Sequence, residues 1–403
     1  VSAAEPIVRL AAKGDGVTTS GRHVAGAVTG DLVAQDGSLE SGPHHVDPPC
    51  SHFARCGGCQ LQHADETVLK DFVTQRVVNA AAGQGIAPDL LEATHLSPPG
   101  ARRRATLHGQ RVARGAVLGF REGGSHRIVD LAECPVLLPE LTAMIAPLRS
   151  FIAKHAPRGS VDVTLVMGDQ GVDVGLANLP LEGLEATQAA LDFAETHSLA
   201  RLTTDQGYGP EPLWEPDPVT VTLSSIPVPM PPGTFIQATA DAEQRMIADA
   251  CDWIGEGTRI ADLFAGLGTF AFAFAAAGLG ERKVLAVEAD RAAHDASKVG
   301  AVRSGGRVLP LHRDLFRAPL QQDELAPFNA VLLDPPRAGA KAQIAELARS
   351  NVERVVYVSC NPSSWARDAA ALIEGGYRLE CLRPIGQFRW SVHVELASLF
   401  VKG

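Results

Sequence analysis

From residue 241 onward the chain alternates short apolar stretches with helical ones, and each apolar stretch runs into a polar cluster. That rhythm limits the possible folds more than any other feature. Residues 259–264, 283–288, 307–311, 330–333 and 354–358 read as strands, with helices expected at 241–253 and 291–299. Strands that are apolar on both faces and separated by helices form a mostly parallel sheet covered on both sides. Residues 377–383 and 392–400 would close it as an antiparallel pair. The alanine-rich stretch 268–280 is too short to cross a bilayer and reads as a buried helix. In such sheets ligands bind beyond the carboxyl ends of the strands, which is where the polar clusters fall.

Each cluster carries its own chemistry. Asp262 and Gly266 lie in DLFAGLGTF, a loop between a strand and a helix. The third glycine of a dinucleotide site is missing, and Asp262 would repel a pyrophosphate. An acid there suits a positive amino or sulfonium centre, so S-adenosylmethionine is preferred to a nicotinamide cofactor or a ligand-free remnant of the fold. Glu288, ending the next strand, is placed to accept hydrogen bonds from ribose hydroxyls, and Asp314 to border the adenine or methionine part. Asp334 opens Asp-Pro-Pro-Arg, a turn stiffened by two fixed proline φ angles.

Cys360 follows VVYVS at the neighbouring strand end. A cysteine there is either a small buried hydrophobe or a nucleophile. Asp334 and Glu395 tilt the reading towards chemistry, because they supply hydrogen-bonding and proton-accepting groups. Carbon 5 of uracil is too weak a nucleophile to take a methyl group unaided. Thiolate addition at carbon 6 puts negative density on carbon 5, which then attacks a sulfonium methyl. A base must afterwards remove the carbon-5 proton, and Glu395 is the candidate. The target nucleotide would be flipped from its stack to reach such a pocket.

At 403 residues the chain exceeds one ordinary domain. Three segments are expected: residues 1–45, a small antiparallel β unit; 46–235, a central domain; and 236–403, the catalytic sheet. No apolar run of about 18 residues and no secretory leader is found, so a cytoplasmic protein with no membrane partner is expected. The net charge of -10 argues mildly against a nucleic-acid partner. Local charge says otherwise: Arg102, Arg103, Arg104, Arg111, Arg114, Arg121 and Arg127 share a stretch with one acid, Glu122. Such a strip either neutralises RNA phosphates or forms a solvated face. Cys50, Cys56, Cys59 and Cys134 have a spacing compatible with a zinc site, an iron–sulfur cluster or unliganded thiols.

The segments CSHFARCGGCQLQH, LGFREGGSHRIVDLAECPV, FIQATADAEQ, DLFAGLGTF, VLLDPPRAG, YVSCNPSSWARD and HVELASLF, in this order, resemble the RNA 5-methyluridine methyltransferase family. The likeness is to its iron–sulfur branch acting on 23S ribosomal RNA, and it runs from about residue 50 to the end. It implies an α/β fold: a seven-strand Rossmann-like methyltransferase domain, an added α+β domain carrying a four-cysteine cluster, and a shortened TRAM-like β-rich N-terminus. It also implies a [4Fe–4S] cluster on Cys50, Cys56, Cys59 and Cys134, with Cys360 as nucleophile and Glu395 as base. Gln237, Glu288 and Asp334 match pocket contacts, and Gly266 belongs to the cofactor loop. The chain departs from the family pattern at Ala238, Ala265 and Ser363. The implied partner is 23S ribosomal RNA, with no protein partner. The rival readings are a transfer RNA T-loop uridine, cytosine methylation, and a noncatalytic RNA-binding scaffold.

Overall fold

The computed structural model describes residues 4–157, 159–277 and 282–403. The expected parallel sheet is present. Its order is Val308–His312, Lys283–Glu288, Arg259–Leu263, Ala330–Leu333, Arg354–Ser359, Glu395–Lys402 and Tyr377–Gly386. The first five strands are parallel, and Glu395–Lys402 runs against both its neighbours. All four residues of Ala330–Leu333 are buried, the burial that a strand with helices on both faces requires. The alanine-rich stretch forms the buried helix Thr269–Ala277, while residues 278–280 lie outside the described residues. No helix among the described residues is long and apolar enough to cross a membrane.

A second sheet of six strands, Glu211–Trp214, Arg201–Asp205, Gly171–Ala177, Ser160–Gly168, Arg104–Val112 and Gly115–Gly119, forms the central region. Helices Ile145–His155 and Gly183–Thr196 join its core. The N-terminal unit is a five-stranded antiparallel sheet spanning Glu5–Leu10 to Leu39–Glu40. Its apolar core is small: Ile7, Ala27 and Val33 with Val24 and Leu39. Polar bonds compensate, since the buried Asp31 carboxylate accepts from the Val28 and Gly42 amides and pairs with His45 Nδ1 at 2.8 Å.

One helix crosses the linear division of the chain. Glu66–Ala82 starts where the Asp65 side chain accepts from the Val68 amide, a standard N-cap. Its buried face (Val68, Leu69, Phe72, Val73, Val77) packs into the core of the parallel sheet, against Tyr377–Gly386 and Pro362–Glu374. The short strands Leu90–Leu91 and His95–Leu96 then pair with Tyr377–Gly386 at the sheet edge. Part of the central segment thus completes the core of the C-terminal sheet.

Candidate active site

Strand register gathers the reactive residues. Ser359 pairs with Leu396 across antiparallel strands, so Cys360 and Glu395, each one step further, meet at the same end of the sheet. Leu333 pairs with Leu263 on one side and Tyr357 on the other, which brings Asp334 to that end as well. The Asp334 amide donates to Leu263 O at 3.2 Å. Its side-chain Oδ2 accepts from Gln237 Nε2 at 3.0 Å. Gln387 Nε2 donates to Gln237 Oε1 at 3.2 Å, and the Gln387 side chain acts to lower the Glu395 carboxyl. A pair of bonded amides therefore lies between the two carboxyl groups. Gln387 escaped the sequence reading because nothing local marks it; only the turn between the last two strands aims it inward.

Burial sets the protonation of the pocket. It pushes the Asp334 carboxyl well above the ordinary carboxylate range, and the charges of Glu395 and Asp262 add to the effect. It pushes Glu395 up to about 7, opposed by the Gln387 bond and the Arg104 charge. Burial also raises the Cys360 thiol, with both carboxylates acting the same way and Arg337 acting against them. Two neighbouring buried carboxyls are not both charged near neutrality. The upward push on Asp334 favours its protonated form, while Glu395 is raised to about 7.

Of the three arginines that open the basic strip, Arg103 and Arg104 face this region, and Arg102 lines a cavity with Cys59 and Cys134. Arg103 Nε donates to Gln237 O at 2.9 Å and its guanidinium pairs with Glu243. Arg102 lies 5.3 Å from the Phe388 ring centre. Arg104 stands 4.4 Å above the Phe235 ring, and burial lowers it to about 10. Phe235 is 56% exposed although Ile236 and Gln237 beside it are buried, so it presents an open aromatic face. Arg111, Arg114, Arg121 and Arg127 remain on the surface. The strip is therefore neither wholly a phosphate ladder nor a solvated face.

Next to the reactive cluster lies the expected cofactor loop. Gly266 adopts φ +55°, and a Cβ there would project into open space, leaving the backbone free for a ligand. Glu288 Oε2 accepts from the Gly266 amide at 2.8 Å and Oε1 from the Asp290 amide at 2.6 Å, tying two strand ends together. Asp262 is fully buried under the loop. Its Oδ2 accepts from the Ala271 amide at 2.8 Å, Oδ1 has no partner among the described residues, and burial raises the carboxyl to about 8. An orphaned buried oxygen and an open glycine cradle fit a ligand with a cationic centre and a ribose, as S-adenosylmethionine has. Asp314 stands apart, with Oδ1 accepting from the Phe316 amide at 2.9 Å. Half-exposed Phe316 meets the Phe264 ring at 5.5 Å and connects that loop to the glycine loop.

The cluster expectation needs correction. Among the described residues no group of three or more His, Cys, Asp or Glu side chains is arranged to hold a metal ion. Cys50, Cys56, Cys59 and Cys134 are free thiols lining one cavity together with Phe53, Phe120, Leu131 and Arg102. Burial raises the Cys50 and Cys56 thiols and pushes Cys59 up to about 12. The four thiols share this cavity without converging into a ligand group. The [4Fe–4S] and metal-binding assignments drawn from the resemblance are withdrawn.

Comparison with known proteins agrees with the pocket. A family profile described as tRNA (Uracil-5-)-methyltransferase matches residues 312–402, which contain Cys360 and Glu395. A protein of Zymomonas mobilis subsp. mobilis, named as an uncharacterized RNA methyltransferase, is 47% identical over 98% of this chain and 99% of its own. The 23S rRNA (uracil(1939)-C(5))-methyltransferase RlmD of Pectobacterium atrosepticum is 33% identical over 90% of this chain and 82% of its own. The crystal structure of Pyrococcus abyssi tRNA (uracil-54, C5)-methyltransferase with S-adenosyl-L-homocysteine superposes with a TM-score of 0.74. It covers 99% of this chain and 100% of that one at 22% identity, a likeness of fold.

Proposed function

The chain belongs to the S-adenosylmethionine-dependent RNA (uracil-5-)-methyltransferases, and on that premise we propose that Cys360, Glu395 and Asp334 carry out the transfer. The observation that bears most weight is the register that sets Cys360 and Glu395 at one sheet end with the buried Asp334 beside them. S-adenosylmethionine, when bound, supplies an electrophilic methyl group.

The Cys360 thiol passes its proton to water, and Sγ bonds to carbon 6 of the uracil ring, pushing the ring's electron pair to carbon 5 and oxygen 4. Protonated Asp334, held by Gln237, is available to donate a hydrogen bond to a polar edge of the pyrimidine. Once carbon 5 is methylated, Glu395 takes its remaining proton. The carbon 5–carbon 6 double bond re-forms and Sγ leaves as thiolate. Gly266, Asp262 and Glu288 are the residues for the methyl donor, with Asp314 at its outer border.

A base near 7 has a kinetic signature. Only the Glu395 carboxylate accepts the proton, so the elimination step should slow about tenfold per pH unit below about 7 and level off above it. Release of free methylated RNA from preformed adduct, followed between pH 5.5 and 8, measures this. A rate constant that does not change over that interval would remove Glu395 from the step.

The RNA is a structured one. The two substrate names among the similar proteins differ. The transfer-RNA reading, a T-loop uridine, is supported by the family profile on the catalytic residues 312–402 and takes precedence over the 23S expectation. The 23S reading keeps the support of the 33% identical relative. Incubation with labelled S-adenosylmethionine and both RNAs, followed by mapping of 5-methyluridine, tests them. Label confined to 23S RNA would overturn the transfer-RNA reading, and 5-methylcytidine alone would overturn the uracil assignment.

A further inference from the structure

Two segments flank the pocket: the nucleophile loop at 360–361 and the turn Asp334 to Gly339. The helix Pro362–Glu374, which starts two residues after Cys360, reaches across and fastens that turn. Asn361 Nδ2 donates to Arg337 O at 2.9 Å, while its Oδ1 caps the helix by accepting from the Ser363 amide at 3.1 Å. Arg367 Nη2 donates to Ala338 O at 3.0 Å. Asp368 Oδ2 accepts from the Ala340 amide at 2.8 Å and from the Tyr357 hydroxyl at 2.7 Å. Its Oδ1 accepts from Arg367 Nε and Nη2 at 2.9 and 2.7 Å. Tyr357 lies on the strand that delivers Cys360.

Asp368 is 1% exposed and Tyr357 fully buried. Burying a carboxylate and a phenol at a core position costs desolvation that an apolar pair would avoid. What the polar pair adds is fixed geometry. Gly339, at φ +79°, brings the turn so close that a Cβ there would lie 2.5 Å from Asp368 Oδ2 and 2.7 Å from Arg367 Nη2. Among the described residues, the hydrogen bond that ties the turn to the strand before the glycine loop is that of the Asp334 amide to Leu263 O.

We propose that Asn361, Arg367 and Asp368 are positioning residues that lock the Asp334 turn to the Cys360 loop, so that nucleophile and pocket carboxyl move as one body. This rests on the methyl-transfer reading above. Sγ must reach carbon 6 while Asp334 holds its place against the pyrimidine. A displacement near 1 Å costs about 100-fold in rate. None of the three touches substrate; they act through Cys360 and Asp334.

Two variants test the clamp. Asp368→Asn keeps the volume but turns a donor towards an existing donor. Asn361→Ser keeps an N-cap oxygen and loses the reach to Arg337 O. In both, kcat should fall about 10- to 100-fold, with KM for RNA and the dissociation constant of S-adenosylhomocysteine within about twofold of wild type. Amide hydrogen exchange at 338–340 should quicken by about tenfold or more. Wild-type kcat in both variants, or a loss confined to KM, overturns the proposal. If Asp368→Asn does not fold, Asn361→Ser decides alone. A wild-type protein that yields no 5-methyluridine, while the variants still quicken exchange at 338–340, would sink the functional reading and leave the clamp standing.

Discussion

Cys360→Ala is expected to abolish formation of 5-methyluridine, lowering turnover on the order of 10⁴-fold or more. The size follows from the chemistry: without a bond at carbon 6 there is no electron-rich carbon 5 to receive a methyl group. Binding should survive, since Cys360 contributes neither to the glycine loop nor to the amide pair of Gln237 and Gln387. Affinity for S-adenosylhomocysteine and for RNA should stay within a few-fold of wild type. The variant should also lose the covalent protein–RNA band on a denaturing gel. Product formed at an undiminished rate would show that another nucleophile, or none, is used.

Glu395→Gln separates methylation from release. Thiolate addition and methyl transfer need no carboxylate at this position, whereas removal of the carbon-5 proton does. The variant should complete about one methyl transfer per active site and then stall as a covalent adduct, with multiple turnover down by about 10²- to 10⁴-fold. The same substitution should stabilise the free protein. The folded state raises Glu395 from 4.5 to about 7, so it favours the protonated form. That contribution is fully present below about 4.5 and is lost as pH rises through 7. At pH 8 wild type carries a buried charge that glutamine does not. A gain on the order of 1–3 kcal/mol, read as a higher melting temperature, is expected at pH 8 and should vanish near pH 4. Stalled adduct without a stability gain would mean that the carboxylate is less buried than the fold requires.

Much of this pocket was legible before folding because parallel sheets place strand ends together. Knowing that residues 330–333 and 354–358 are apolar strands is enough to put Asp334 and Cys360 side by side. Glu395 is a different case. It begins a strand instead of ending one, and only the reversed direction of Glu395–Lys402 brings it to the same end. Gln387, Arg104 and Phe235 come from a turn and from the central region, so their place depends on packing between distant segments. The basic strip divides for a related reason: Arg103 satisfies Gln237 O and Glu243, contacts more than 130 residues away along the chain. The cysteine spacing identified a shared cavity, yet spacing says nothing about whether the thiols converge into a ligand group.

The helix Glu66–Ala82 places a limit on how the enzyme could be taken apart. Because its apolar side forms one wall of the core beneath Tyr377–Gly386 and Pro362–Glu374, residues 236–403 are not a portable cassette. Cut out alone, they would present an oily furrow and a bare sheet margin to water, a surface prone to aggregate. Any graft of this catalytic half onto another RNA-binding scaffold must carry residues 66–96 with it.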